Sequence, residues 1–294
     1  MTNETPTVII GHDMPPELAA DVSNALQEMG VTVKANGFAP PEHRDGKVIV
    51  VISPKGGSGK TALSSNLAVA LAQRHPGRVV AVDLDVQFGD LGSALSLTPE
   101  HTLAQLARAS QIDATTVKLF LTPYEHGLYV LAGAAGPVDA DSISHAHVSA
   151  VLPILAQNFD YVVVDTPAGL DERTLAAVES ATDLLLVSSL DVTSIRSLRK
   201  ALDALDQMGV KGQRQFVLNR ADAKVGLDPS DAEEAMGMKI SCAVPQSREI
   251  PLSLNLGTPV VISEPKSSTA KQLQSLAQRY APVETEKGRR GWRR

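Results

Sequence analysis

Cysteine occurs once in 294 residues, at Cys242, which excludes an intrachain disulfide framework and a zinc site built on cysteines. It also excludes an iron–sulfur centre, which takes several cysteine ligands. Aromatic residues make up only 3% of the chain. That argues against a stacking platform for single-stranded nucleic acid, which needs exposed rings, and leaves the core to Val, Leu, Ile and Ala. Long apolar runs are missing too. Val48–Ile52 and Leu184–Val187 fall far short of the ~20 residues that a membrane-spanning helix needs. The opening residues, MTNETPTVIIGHDMPPE, show no basic stretch followed by a long apolar one, so no signal peptide is expected. The expected compartment is the cytoplasm.

What is present describes a globular chain: 43% hydrophobic and 20% charged residues. The length suggests about two domains. The 27 Lys and Arg against 33 Asp and Glu give a net charge of −6. The charge is uneven. Glu284–Arg294 holds five basic and two acidic residues, a local +3, so the rest of the chain stands at −9.

Short aliphatic runs alternate with helical patterns. The predicted strands are Val8–Ile10, Val31–Lys34, Lys47–Ile52, Arg78–Asp83, Leu128–Ala132, Tyr161–Asp165, Leu184–Ser188, Gln215–Asn219 and Ile240–Val244. Most are nearly continuous Val, Ile and Leu, the pattern of strands buried on both faces of a parallel sheet. The predicted helices are Thr61–Gln73, Leu103–Ala109, Val148–Gln157, Arg173–Ser180, Thr193–Met208, Pro229–Met236 and Ser268–Tyr280. This alternation predicts an α/β fold, a doubly wound, mostly parallel sheet flanked by helices. Asn36–Lys47, NGFAPPEHRDGK, reads as a linker. The expected division is a short β-α-β-like segment and linker over 1–46, a main domain over 47–283, and a basic tail over 284–294.

The strongest local signal is Val48–Thr61, VIVVISPKGGSGKT, followed by a helical stretch. A buried strand runs into a glycine-rich loop and then into a helix headed by Lys60 and Thr61. Gly56, Gly57 and Gly59 permit loop dihedrals that other residues resist, and turn backbone N–H groups toward phosphate oxygens. The helix N-terminus adds partial positive charge. Lys60 can reach the β- and γ-phosphates, and the Thr61 hydroxyl can bind Mg²⁺. The standard phosphate-loop pattern has glycine where this chain has Pro54, and an additional lysine, Lys55, precedes the glycines. Two more strands end in acids: VVAVDLD places Asp83 and Asp85, two apart and on one face, and YVVVDTPAG places Asp165. Ligands bind at such carboxyl ends in open α/β sheets. No Asn-Lys-x-Asp guanine reader is present.

The K-G-G-x-G-K-T pattern resembles the deviant Walker A motif of the MinD/ParA family of P-loop ATPases, over about Lys47 to Tyr280. The resemblance implies a slow ATPase that uses ATP and Mg²⁺ and forms a homodimer in its ATP state. It implies catalytic roles for Lys55, Lys60 and Asp85, with Lys55 reaching across a nucleotide-sandwiched dimer. It implies nucleotide contacts from Lys55, Gly56, Gly57, Ser58, Gly59, Lys60, Thr61, Ala62, Asn219, Arg220, Pro245 and Gln246, the last four around adenine. Thr61, Asp83, Asp85 and Asp165 are the implied metal-site residues.

Several segments, DLDVQFGDLGSALSL, PEHTLAQL and SSLDVTSIRSLRKALDAL among them, look most like the TadZ/CpaE branch, which serves Flp/Tad pilus assembly. Actinobacterial-type septum-site regulators share these patterns. That branch usually begins with a full-length receiver-like domain, of which only Pro6–Ala35 has the look here, and Asp13 is no recognisable phosphoacceptor. The implied partners are pilus assembly and secretion proteins, with recruitment to the inner membrane face or a cell pole. The alternatives are a ParA/MinD-like partitioning or septum-site ATPase, and a slow-hydrolysing ATP-binding scaffold. Nonspecific DNA on Arg196, Arg199 and Lys200, which share a helix face, and anionic membrane under the tail EKGRRGWRR are less favoured. The bland readings are a helix face paired with acids such as Asp203, and a solubilising tail.

Overall fold

The computed structural model describes residues 7–10, 32–35 and 46–281, apart from 88 and 135. Two compact units are present, Met1–His43 and Arg44–Arg294. In the first, strands β1 (Thr7–Ile10) and β2 (Thr32–Ala35) pair in parallel. The segment between them and Asp13 lie outside the described residues, as does the basic tail.

The second unit is built on one eight-stranded sheet. In chain order its strands and its helices of eight or more residues are β3 (Lys47–Ile52), α1 (Lys60–Ala72), β4 (Val79–Asp83), β5 (Thr122–Tyr124), β6 (Leu128–Leu131), α2 (His145–Asn158), β7 (Tyr161–Asp165), α3 (Glu172–Glu179), β8 (Asp183–Ser189), α4 (Val192–Gln207), β9 (Gln213–Asn219), α5 (Pro229–Met236), β10 (Ile240–Val244), α6 (Glu249–Leu256) and α7 (Ser268–Tyr280). The spatial order is β10-β9-β8-β3-β7-β4-β6-β5. Every pairing is parallel except β5 with β6. This is the doubly wound, mostly parallel architecture that the alternation of strands and helices predicts.

The continuous aliphatic runs have a direct cause. Alternate residues of a strand point to opposite faces, and both faces here are covered. Val48, Val50 and Ile52 of β3 join one core cluster with Val80, Val82, Val162 and Val164. Ile49 and Val51 join the other with Val79, Ala81 and Val163. Helix α1 is buried at every position except Thr61. A helix in that position needs small and aliphatic residues all round, and ALSSNLAVALA supplies them. Its one interior amide is satisfied on both sides: Asn66 Nδ2 donates to the Ala62 carbonyl at 2.8 Å, and its Oδ1 accepts from the Val261 N–H at 3.1 Å.

Five shorter helices, Leu91–Ala94, Leu103–Leu106, Ala114–Leu119, Pro137–Ala140 and Val260–Ser263, fill the connections. Of these only Leu103–Leu106 was within reach of the periodicity, and β5 and α6 are also absent from the predicted elements. Strand β3 sits in the middle of the sheet between β7 and β8, so its carboxyl end opens onto a group of loops from β4, β7, β8, β9 and β10. No helix among the described residues is long and apolar enough to cross a membrane.

Candidate functional site

The glycine-rich loop runs from the end of β3 to the start of α1, at the carboxyl end of the sheet. Gly57 and Gly59 have φ of +70° and +96°, the left-handed region that side chains resist. Gly59 is constrained twice. A Cβ there would stand 2.4 Å from Asn219 Nδ2. That close approach exists because Asn219, the last residue of β9, donates from Nδ2 to the Ser58 carbonyl at 2.9 Å. Asn219 Oδ1 in turn accepts from the Arg220 N–H at 3.0 Å, and Arg220 reaches the Gly57 carbonyl at 3.5 Å. The end of β9 therefore braces the phosphate loop, a contact for which the sequence carries no signal.

A cavity of about 380 Å³ lies over this loop. Gly56, Gly57, Gly59, Lys60, Thr61 and Ala62 form one wall, and Asp85 stands at one side. Asn219, Arg220, Pro245 and Gln246 line another part, where Gln246 is set by its N–H donating to Asp222 Oδ1 at 2.6 Å. Asp90 and Ala168 also line it, and Ser247, Ile250, Pro251 and Leu254, from the turn after β10 and from α6, complete the lining. Of these last four, the sequence reading missed Ile250, Pro251 and Leu254. These three are apolar and give the cavity one greasy wall of the kind that suits a flat heterocycle.

Lys55, Ser58, Asp83 and Asp165 do not line the cavity. Asp83 and Asp165 are register partners on adjacent strands, β4 and β7, and both are buried beneath it. Asp83 Oδ1 accepts from the Asp85 N–H at 3.0 Å, and Oδ2 from the Leu91 N–H at 3.3 Å. A Cβ on Gly89 would come within 2.5 Å of Asp83 Oδ2, so the 84–91 loop wraps tightly round this carboxylate. Asp165 Oδ1 accepts from the Ser64 hydroxyl at 2.9 Å, while Oδ2 is buried with no hydrogen-bond partner among the described residues.

Burial raises the carboxyl of Asp83 well above its ordinary value, and the charges of Asp165 and Asp85 raise it further. Burial pushes Asp165 up to about 6, against the hydroxyls of Thr61 and Ser64 and the ammonium of Lys60. Burial also lowers Lys60, which Asp165 and Asp85 oppose. Two carboxylates, Asp165 and Asp85, thus act on one amine, and Asp165 keeps one buried oxygen unpartnered among the described residues. An all-oxygen donor set with excess negative charge is what Mg²⁺ accepts, so these residues fit that cation.

The loop after Asp165 is tied to β3. Thr166 Oγ1 donates to the Val51 carbonyl at 2.7 Å, and the Gly169 N–H to the Ser53 carbonyl at 3.3 Å. Lys55 is tied to the start of α4. Its Nζ is held at 3.1 Å by Asp191 Oδ1 and at 2.8 Å by Thr193 Oγ1. Asp191 also caps α4 by accepting from the Ser194 N–H at 2.8 Å. Burial works against ionised Asp191, but the hydrogen bonds of Ser194 and Thr193, with Lys55, hold it well below the usual carboxylate range.

One of the three basic residues on this face of α4, Arg199, is already engaged. Arg199 pairs with Asp203 and donates to the Met236 carbonyl at 2.9 Å, which ties α4 to the end of α5. Arg196 and Lys200 are exposed.

A doubly wound sheet with a glycine loop at its centre and acids at the ends of neighbouring strands defines a P-loop nucleotide-binding protein. A family profile described as an AAA domain matches residues 46–217, more than half of the chain, and the chain belongs to that family, as a P-loop ATPase of MinD/ParA type. The septum site-determining protein MinD of Thermotoga maritima is 28% identical over 240 residues, covering 80% of this chain and 88% of its own. The ParA family ATPase of Chlorobium tepidum TLS superposes with a TM-score of 0.74 at 27% identity, covering 79% of this chain and 98% of that one. MinD of Pyrococcus horikoshii OT3, in complex with Mg-ADP, superposes with a TM-score of 0.72 at 25% identity, covering 81% and 96%.

Proposed function

We propose that this chain is a slow Mg²⁺-dependent ATPase that works as an ATP-driven dimerisation switch. The observation that carries the reading is the convergence, at one end of one sheet, of the left-handed glycine loop, the buried Lys60 and the unpartnered Asp165 Oδ2. The backbone N–H groups of Gly56 to Thr61 and the N-terminus of α1 hold the phosphate chain. Lys60 neutralises the β- and γ-phosphate oxygens. Thr61, Asp85 and Asp165 are the residues that would hold Mg²⁺, with Asp83 behind them fixing the 84–91 loop. When bound, the cation supplies charge neutralisation to the transferring phosphoryl group. Asp85, which lines the cavity, positions the attacking water. Asn219, Arg220, Pro245 and Gln246, with the apolar wall from α6, enclose adenine. Catalysis needs no covalent intermediate, only positioning and charge.

Lys55 gives the switch its second state. In the single chain it rests, exposed, on Asp191 and Thr193. In an ATP dimer it leaves them for the partner's phosphates. Sizing chromatography tests this directly. Wild type is expected to elute as a dimer with ATP and as a monomer with ADP. Lys55→Ala is expected to stay monomeric with ATP while still binding nucleotide. Dimers that persist in Lys55→Ala would overturn the trans role, and a wild type that never dimerises would overturn the switch.

The relatives named for septum-site determination and the ParA family support a role in arranging other components within the cell. The finer reading, localisation and assembly of a Flp/Tad-type pilus machinery, is supported by the resemblance of the segments following Asp83 and Ser188. Neighbouring genes for a secretion ATPase and a small pilin are expected on that reading. A ParB-like neighbour with centromere-like repeats would replace it with partitioning. The pairing of Arg199 with Asp203 weakens the case for DNA on α4.

A further inference from the structure

Ser64, one turn into α1, is fully buried. Its Oγ stands 2.9 Å from Asp165 Oδ1 and 2.9 Å from the Lys60 carbonyl oxygen. A hydroxyl has one proton and gives it to one of these acceptors at a time. The ionised carboxylate is the stronger acceptor, since charge-assisted hydrogen bonds are roughly twice as strong as neutral ones. Ser65 provides the comparison within the same helix. It is equally buried, and its Oγ reaches the Thr61 carbonyl at 2.8 Å and the Ala62 carbonyl at 3.2 Å. That is the ordinary back-bond of a serine in a helix, with no carboxylate involved.

The other half of the argument is Asp165 itself. One of its oxygens is held by Ser64, and the other is buried without a partner among the described residues. The torsion that turns a carboxylate is broad and soft, so an unheld group would sample many orientations. The hydrogen bond from Ser64 to Oδ1 restricts that freedom, alongside the Thr61 hydroxyl that also acts on this carboxylate, and leaves Oδ2 as the available oxygen.

We propose that Ser64 is a positioning residue of the divalent-cation site: by holding Asp165 through Oδ1, it keeps Oδ2 turned out for the coordination shell of the cation. This rests on the Mg²⁺-ATPase reading above. The feature is local, and Ser64 acts only through Asp165, so the effect belongs to metal affinity and not to nucleotide affinity as such.

The test titrates Mg²⁺ into the full chain with a fluorescent methylanthraniloyl-ADP, comparing wild type, Ser64→Ala, Ser64→Cys and Ser65→Ala. Thermal unfolding midpoints and nucleotide affinity in EDTA are measured alongside. In Ser64→Ala the half-saturating Mg²⁺ is expected to rise about 10-fold or more, the usual cost of losing a partner that orients a metal ligand. Affinity in EDTA is expected to match wild type, and Ser65→Ala is expected to match it throughout. Ser64→Cys, with similar size and a weak donor, is expected to fall between. An unmoved Mg²⁺ requirement in Ser64→Ala, or an equal shift in Ser65→Ala, would overturn the proposal. Should Ser64→Ala not fold, Ser64→Cys against Ser65→Ala decides by the same criterion. A wild type that binds nucleotide without regard to Mg²⁺ would instead sink the ATPase reading, and this inference with it.

Discussion

Lys60→Ala is expected to lower ATP turnover by about 100-fold or more, the scale seen when one preorganised charge is removed from a site that excludes water. Phosphate release and titration with a fluorescent nucleotide would measure it. The size follows from where the amine sits. Lys60 is only 8% exposed, and burial works against its charge. An ammonium stripped of water interacts with phosphate oxygens far more strongly than one on the surface. Its present counter-charges are Asp165 and Asp85. Alanine would remove the cation and leave those two acids facing the incoming phosphates, so binding would weaken as well. Substituting an exposed lysine such as Lys200 in the same way is the control. A Lys60→Ala chain with wild-type turnover would show that the phosphates do not sit on this loop.

Asp85→Ala is expected to separate two properties that Lys60→Ala destroys together. Turnover should fall about 100-fold, within the range for loss of a group that assists water attack. ATP binding should survive, and the ATP dimer on a sizing column should live longer than that of the wild type. The reason is the contrast with Asp83. Both oxygens of Asp83 accept backbone N–H groups of the 84–91 loop, so it is bound into the fold. Asp85 lines the cavity wall and is partly exposed, so its carboxylate can meet a water beside the phosphates. Equal phosphate release by Asp85→Ala and wild type would remove the hydrolytic role and leave an ATP-binding scaffold.

The parts of this molecule that can be read from sequence are those where one physical demand acts on consecutive residues. The valines of β3, β4 and β7 are buried on both faces, so the demand is continuous and the strands stand out. The glycine loop is legible because left-handed dihedrals and bare backbone amides leave little choice of residue. β5 is not legible. Its three residues, Thr122, Pro123 and Tyr124, are too few for a period, and proline argues against a strand. The four-residue helices are below the length at which a helical period can repeat. The contacts that complete the site are also silent, because they join residues far apart in the chain. Asn219 braces Ser58 across 161 positions, and Ser64 meets Asp165 across 101. A serine inside a helix looks the same whether it bonds its own turn or a carboxylate on a neighbouring strand.

Strand β5 carries a consequence for how copies of this protein can meet. A parallel sheet that ended in a long, regular strand would offer a row of free amides and carbonyls as a template for further strands. Here the terminal strand at that side is three residues long, runs against its neighbour, and has a proline with no N–H to give. At the opposite side, β10 pairs irregularly with β9 near Ile240 and packs against α7. Lateral growth by strand addition is therefore discouraged at both margins. On the switch proposed above, self-association would use the loop-bearing end of the sheet instead, where a nucleotide would decide whether it happens.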